Sequence, residues 1–391
     1  MQHLQVEIID CEKRLASIDL DALVSTVSVQ HRQKYLQILM KNMDNNFKGY
    51  FAIAQIAGEP IAWTYVFLDK QFSFDGIFSG ALDKLCRVLP IKLHTAFISS
   101  PVAEYNVIHI KEEYKTEENA ILDALLGELL PFLKKKRVKL IILRDHISPY
   151  ASDYLHEKFI HVHFMPGTYL DFAEIHDCDK TCLCFEGYLM SLTKKRRANI
   201  RNKMNRRRAD LNIEVVSASS LTKEQKARCH TLYVQTRDKQ RLKHERLAVD
   251  YFHDCAEGLG DCCKMLVAKT GDTIIGFAQL FVQEEDVVNV RMGMDYSLNK
   301  EYDLYFHLLY ENIIYCLSEK KKRLYTSQTC YRPKLEVGAK LIPLHTYFRF
   351  TNPLLQKLLG KVIVSNCRCY TELIETDQPS GVLAKYDLCP Y

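Results

Sequence analysis

The chain predicts an α/β (α+β) protein of two similar halves, each a mixed, mostly antiparallel sheet flanked by helices. Two observations carry this. Tyr50 to Phe67 (YFAIAQIAGEPIAWTYVF) and Lys264 to Phe281 (KMLVAKTGDTIIGFAQLF) both read as strand, turn, strand, with Gly58 and Gly271 in polar turns between apolar runs. The elements after each hairpin also come in the same order, as in a duplicated unit. With 391 residues, 47% of them apolar, the chain can build a core in each half. Gly and Pro are few and no run of about 18 apolar residues occurs, which argues against disorder and against a membrane-spanning helix.

In the first half, residues 10–45 carry apolar side chains at spacings of three and four with no proline, a helical pattern. After the hairpin come a helix over Gly80–Leu89 and a strand over Lys92–Ser99. Thr116–Lys136 reads as a helix, with Glu117 and Glu118 in its first turn and Lys134 to Arg137 at its end, charges that suit the helix dipole. Val138–Leu143 reads as a buried strand, Pro149–Lys158 as a helix and His161–Leu170 as a last strand. The second half repeats the plan. Helices are expected over Glu186–Arg208, Lys223–Arg237 and Ala248–Gly258, then the hairpin 264–283, a strand Asp286–Asp295, a helix Leu304–Lys320 and a strand Leu324–Thr329. This order predicts domains over 1–175 and 176–375 and a patternless tail over 376–391.

Net charge is +5, but Lys194 to Arg208 (KKRRANIRNKMNRRR) concentrates nine basic residues in fifteen with no acid. Such a block serves an anionic partner or is a solvated helix face. The start, MQHLQVEIIDCEKRL, has no apolar core of signal-peptide type, so a cytoplasmic chain with reduced thiols is expected. Of the 14 cysteines, Cys178, Cys182, Cys184, Cys367 and Cys369 lack paired C-x-x-C knuckles, and no metal is expected. No nucleophile triad, P-loop or dinucleotide fingerprint is present.

The element order resembles the GNAT fold of acyl-CoA-dependent N-acyltransferases, and two such units in one chain resemble the Fem-like group, which includes the peptidoglycan aminoacyltransferases and related peptidogalycan biosynthesis or recognition proteins. The likeness rests on Tyr188 to Arg208 (YLMSLTKKRRANIRNKMNRRR), Arg291 to Glu311 (RMGMDYSLNKEYDLYFHLLYE) and Thr326 to Pro343 (TSQTCYRPKLEVGAKLIP). The glycine loop with which single-domain GNAT enzymes cradle a pyrophosphate is missing from both halves. After the second central strand the loop is Tyr296 to Asp303 (YSLNKEYD), with Lys300 its one cation.

The resemblance implies transfer of an acyl group to the amine of a small molecule or peptide. The modest net charge favours acyl-CoA (acetyl-CoA or longer) as donor over aminoacyl-tRNA, and a non-catalytic protein binding through the basic helix is the alternative. The candidate site is the C-terminal end of the second central strand. Asp295 would assist amine deprotonation through water and Tyr296 or Tyr302 would protonate the leaving group. Arg291, Tyr305, Gln328, Lys334 and His345 would orient the substrate, and Lys194, Arg197, Arg201 and Lys300 would meet the donor's phosphates. Each has a bland alternative: Asp295 as a loop cap, Arg291 paired with Glu284 or Glu285, His345 as a core histidine. The first half is expected to be scaffold and one wall of a cleft.

Overall fold

The computed structural model describes residues 4–10, 18–23, 28–74, 88, 92–100, 105, 108–173, 185–240 and 245–385. All but Val88 of the helix expected over Gly80–Leu89, and Cys178, Cys182 and Cys184, lie outside the described residues. The chain divides into two compact units: 1–166, 244–248 and 343–377 form the first, and 167–243, 249–342 and 378–391 the second.

The first unit holds β1 (Leu4–Asp10), β2 (Phe47–Ile56), β3 (Glu59–Phe72), β4 (Leu93–Ile98), β5 (Ile108–Ile110), β6 (Leu140–His146), β7 (Ile160–His163) and β15 (His345–Phe350). Strand order is β1-β2-β3-β4-β6-β15-β7, with β5 added to β3. Of these pairings β4–β6 is parallel and the rest are antiparallel. Its helices are α1 (Gln33–Asn42), α2 (Glu118–Lys135), α3 (Asp153–Lys158) and α11 (Pro353–Glu375). On α2, Ile121, Leu122, Leu125, Leu126, Leu129 and Leu133 form one buried stripe, which packs over β1 and β2.

The second unit holds β8 (Gly167–Asp171), β9 (Leu211–Ser217), β10 (Cys263–Thr270), β11 (Thr273–Val282), β12 (Asp286–Met294), β13 (Arg323–Tyr325) and β14 (Lys340–Ile342), ordered β14-β8-β13-β12-β11-β10-β9. Only β12–β13 is parallel among these pairings. Helices α4 (Phe185–Ser191), α5 (Lys194–Asn205), α6 (Lys223–Lys239), α7 (Tyr251–Leu259), α8 (Asn299–Tyr302), α9 (Leu304–Ser318), α10 (Tyr331–Glu336) and α12 (Pro379–Lys385) complete it. Both sheets are thus mixed and mostly antiparallel, as the sequence predicts. The duplication extends to a detail of the hairpins. Each has one extra residue at the same place in its second strand, Ile61 and Ile275, where the register shifts.

The halves exchange a strand. The single strand expected over His161–Leu170 is two: β7 joins the first sheet and β8 the second. In return β15 lies between β6 and β7 in the first sheet, so 343–377 goes with the first unit, where the sequence order assigns it to the second domain. All of β15 but Arg349 is buried, and such a strand settles wherever both edges and both faces are met, which no local pattern reveals.

Other differences are local. The helix expected over Glu186–Arg208 breaks at Leu192, and Thr193 caps α5 by accepting the Arg196 N–H at 3.4 Å. The strand expected over Leu324–Thr329 ends at Tyr325. Residues 376–391, expected to lack pattern, include α12, which contacts α10. Residues 10–45 supply, where described, two single-turn 3-10 segments (Asp21–Leu23, Val29–His31) and α1. The sequence reading has no counterpart for β1, β9 or α11.

Helix α6 crosses the face of β11 and β12. At Gly293 it comes so near that a Cβ would stand 2.2 Å from Phe277 Cε1 and 2.8 Å from the backbone at Leu232 and Tyr233. Backbone cannot step aside as a flexible side chain can. Gly293→Ala is therefore expected to destabilise the second unit by about 2 kcal/mol or more, read as a lower denaturant midpoint.

Candidate active site

Strands β12 and β13 run side by side over three residues only, Asp286–Val288 against Arg323–Tyr325. Two features part them. Val290 is an extra residue in β12, since Gln279 faces Arg291 while Leu280 faces Asn289, and such a bulge bends the strand. Beyond Tyr325 the other chain stays with β8, Thr326 N–H donating to the Thr168 carbonyl at 2.8 Å. From Asn289 to Met294, β12 therefore has no strand on that side among the described residues. An open strand edge of this kind can receive an extended ligand through its backbone groups.

The loop after β13 faces this opening in an unusual backbone state. Ser327 (φ 60°), Thr329 (φ 65°) and Cys330 (φ 49°) are all left-handed, each at a cost of about 1–3 kcal/mol. Lys334, buried in α10, holds the loop by donating to the carbonyls of Thr326, Ser327 and Gln328, the latter two at 3.1 Å. Three acceptors match the three donors of an ammonium. The sequence assigns Lys334 to a substrate anion; the structure spends it on the loop.

Asp295 and Tyr296 directly follow β12. Asp295 accepts from the Ser297 N–H (3.1 Å) and hydroxyl (2.6 Å) and pairs with Arg228 of α6 at 2.9 Å. The Ser297 hydroxyl bond, with Arg228, keeps its carboxyl below the usual range, so it is a charged cap and a weak base. Tyr296 is half-buried, shares a hydrogen bond with Thr236, and has Lys239 Nζ 5.0 Å from its ring centre. Burial raises its pKa, and the nearby Cys330 thiol adds to this, so it stays protonated at neutral pH. Thr236 also accepts the Met294 N–H at 3.2 Å, fixing the strand end. Tyr296, Thr236 and the 326–330 loop thus meet at the end of the open edge. Sequence reasoning missed Arg228, Thr236 and Cys330.

The other expected residues are dispersed. Arg291 is buried on the α7 side, its guanidinium 4.7 Å from the Tyr251 ring and donating to the Tyr251 hydroxyl at 2.6 Å, while Glu285 pairs with Lys322. Tyr302 donates to Asp210 at 2.9 Å, beside β9 at the far edge of the sheet, and that bond raises its pKa. Tyr305 packs edge-on against Phe306, and Gln328 lies in the strained loop. His345 is in the first unit, whereas Asp295 and Tyr296 are in the second.

The basic helix is partly consumed internally. Arg197 donates to the carbonyls of Leu189, Met190 and Leu192 at the end of α4, Arg201 pairs with Glu186, Arg207 with Glu311 and Arg208 with Asp210 and Glu301. Lys194, Lys195 and Arg196 are exposed and make no ion pair among the described residues, and Lys300 is exposed on α8. Asn199 reaches Glu336 at 3.4 Å, which ties α5 to the end of α10, the helix that Cys330 directly precedes. Among the described residues no group of three His, Cys, Asp or Glu is placed to hold a metal ion, and no helix is long and apolar enough to cross a membrane.

A family model, FemAB-like, described as peptidogalycan biosynthesis/recognition, matches residues 51–376. The chain belongs to the FemAB-like family. Fem proteins are transferases acting on amines, so this FemAB-like chain is an aminoacyl or acyl transferase. Similar solved structures show the same fold: FemX (TM-score 0.52, 11% identity, 87% of this chain and 97% of that one) and L-PGS from Bacillus licheniformis (0.51, 11%, 88% and 97%). A conserved protein of unknown function from Bacteroides thetaiotaomicron is also similar (0.50, 14%, 88% and 100%). No curated protein matches.

Two predictions follow from this geometry. Lys334→Met leaves three loop carbonyls without their donor, and is expected to cost about 3 kcal/mol and to raise amide exchange over 326–330. In the first unit, His345 stacks on His161 (ring centres 5.1 Å, Nδ1 to Nε2 2.9 Å) beside His163, and pairs in register with His146 and His163. Burial, then His163, His161 and His146, lower its pKa from 6.5 to about 4. The unfolded chain thus binds the proton first as pH falls. Stability should be full above 6.5 and drop as pH falls from there through about 4. His345→Asn should flatten that slope in pH-dependent unfolding curves.

Proposed function

We propose that the second unit transfers an aminoacyl group from an aminoacyl-tRNA to a peptide amine, at the opening between β12 and the 326–330 loop. The observation that favours this donor over acyl-CoA is the turn after β12. A pyrophosphate there needs free backbone N–H groups and no negative charge. Instead the Ser297 N–H is taken by the Asp295 carboxylate, and the Leu298 N–H by the Asp295 carbonyl at 3.1 Å. The charge of Asp295 would repel a phosphate placed there. Lys194, Lys195 and Arg196 offer an exposed cationic patch for a nucleic-acid backbone. Fem-like proteins use aminoacyl-tRNA and act on peptidoglycan precursors, which makes the amine of such a precursor's peptide the proposed acceptor and the cytoplasm the proposed location.

In this reading a neutral amine attacks the ester carbonyl. A C–N bond forms and the ester C–O bond breaks; the amine's proton passes through water to the phenolate left on Tyr296 as the departing ribose oxygen takes a proton. Tyr296 is protonated at neutral pH and supplies that proton. The open N–H groups of β12 would hold the developing oxyanion. Asp295 positions the turn through Ser297 and Arg228 and acts on substrate only through water. A second reading keeps acyl-CoA, because an open strand edge also suits the amides of a pantetheine arm.

Tyr296→Phe is expected to lower kcat about a hundredfold with an unchanged melting temperature, measured by aminoacyl transfer to a peptide amine. Lys194→Gln/Lys195→Gln/Arg196→Gln should weaken tRNA binding and lower the log–log salt slope by about two. An unaltered slope, with a melting temperature that rises with acetyl-CoA and not with tRNA, would shift the assignment to the second reading.

A further inference from the structure

Helix α11 has one face committed to the fold and another exposed, with no partner element among the described residues. Gly360, Ile363, Cys367, Cys369 and Leu373 are buried, and Gly360 lets Ile160 of β7 approach so closely that a Cβ would stand 2.5 Å from its Cδ1. On the outer stripe Leu354, Leu358 and Val364 are 64%, 58% and 41% exposed, among the most exposed large apolar side chains described. Lys357, Lys361 and Arg368 share that stripe and make no ion pair among the described residues. No acidic residue occurs from Pro353 to Thr371. Between the stripe and Ile160 runs a groove of about 480 Å³, with the apolar Ile160, Gly360 and Val364 flanked by the three cations.

We propose that this face of α11 docks on an anionic lipid surface, leucines toward the acyl chains and Lys357, Lys361 and Arg368 on the headgroup phosphates. The choice of a lipid over a protein partner rests on composition. A protein-binding face is rich in aromatic residues at its centre and poor in lysine, whereas this stripe has two lysines, one arginine and no aromatic residue. Interleaved cations and aliphatic residues on one face of a long helix are the pattern of an interfacial helix, whose cations reach outward to phosphates while their stems lie along apolar surface. The stripe from Leu354 to Arg368 covers about 21 Å of helix, enough for several lipids. The docking face lies in the first unit and does not depend on the transfer reading.

The test is co-sedimentation of the full chain with phosphatidylcholine vesicles, with and without phosphatidylglycerol as one third of the lipid. The chain is expected to sediment with the anionic vesicles and to be released by salt. Lys357→Gln/Lys361→Gln/Arg368→Gln should lower partitioning roughly a hundredfold, and Leu354→Gln/Leu358→Gln about tenfold. Both should keep the wild-type melting temperature, because these side chains are exposed. Sedimentation that neither variant reduces, equal binding to neutral vesicles, or no binding overturns the proposal. So does self-association that Leu354→Gln/Leu358→Gln abolishes, which would assign the face to a second copy. Loss of transfer activity in Tyr296→Phe with vesicle binding intact separates the two readings.

Discussion

The parting of β12 from β13 after three paired residues is the constraint on which the second unit's chemistry depends. A strand inside a sheet has its backbone groups satisfied on both sides, and an unpaired stretch must find other partners or stay available. Here the Val290 bulge bends β12 away while Thr326 keeps its own chain with β8. Thr236 takes one freed N–H, and the rest of that edge has no strand beside it among the described residues. The opening would close if either strand continued in register. The strained loop prevents this on one side, and the Lys334 ammonium keeps the strain in place through three carbonyls.

The same region shows how the duplicated halves diverged. In the first sheet, β4 stops at Ile98 and β5 pairs with β3 in its stead, Trp63 facing His109 across the pair. Those two rings stack at 4.1 Å, and His31 packs against His109 at 5.1 Å. Burial keeps His109 neutral, its pKa well below the usual value. The first sheet thus parts at the corresponding place, and buried rings lie across its β3–β5 pair where the second sheet has β11 beside β12.

Charge in the second unit serves architecture before it serves ligands. Six of the nine basic residues in 194–208 have specific work within the unit: Arg197 on the α4 carbonyls, Arg206 on the Asn202 carbonyl, Lys203 over the Phe306 ring, and Arg201, Arg207 and Arg208 in ion pairs. Exposed pairs of this kind contribute about 0–1 kcal/mol each, so their effect is to hold α5 against α4 and α9 more than to stabilise the fold. What remains for a partner is the cluster at the start of α5. A run of charge in a sequence states how much cation is present, and only the acids that fold against it decide how much is free.

Sequence alone determined the class of the fold, the two hairpins down to their turn glycines and helices α2, α6, α7 and α9, because these rest on short-range periodicity and turn chemistry, and it pointed to the family through the resemblance of Tyr188–Arg208, Arg291–Glu311 and Thr326–Pro343. It also led to Asp295 and Tyr296 at the end of the central strand, since a strand's end is legible from its own residues. The strand exchange was beyond it: β8 and β15 pair with strands far off in the chain, and their apolar runs would suit either sheet. The partners that define the site were beyond it too. Arg228 lies 67 residues from Asp295 and Thr236 lies 58 from Met294, and the left-handed state of Ser327, Thr329 and Cys330 contradicts their local preference. Tertiary structure decided these features because each is held by atoms from another element, Lys334 for the loop and α6 for the strand end.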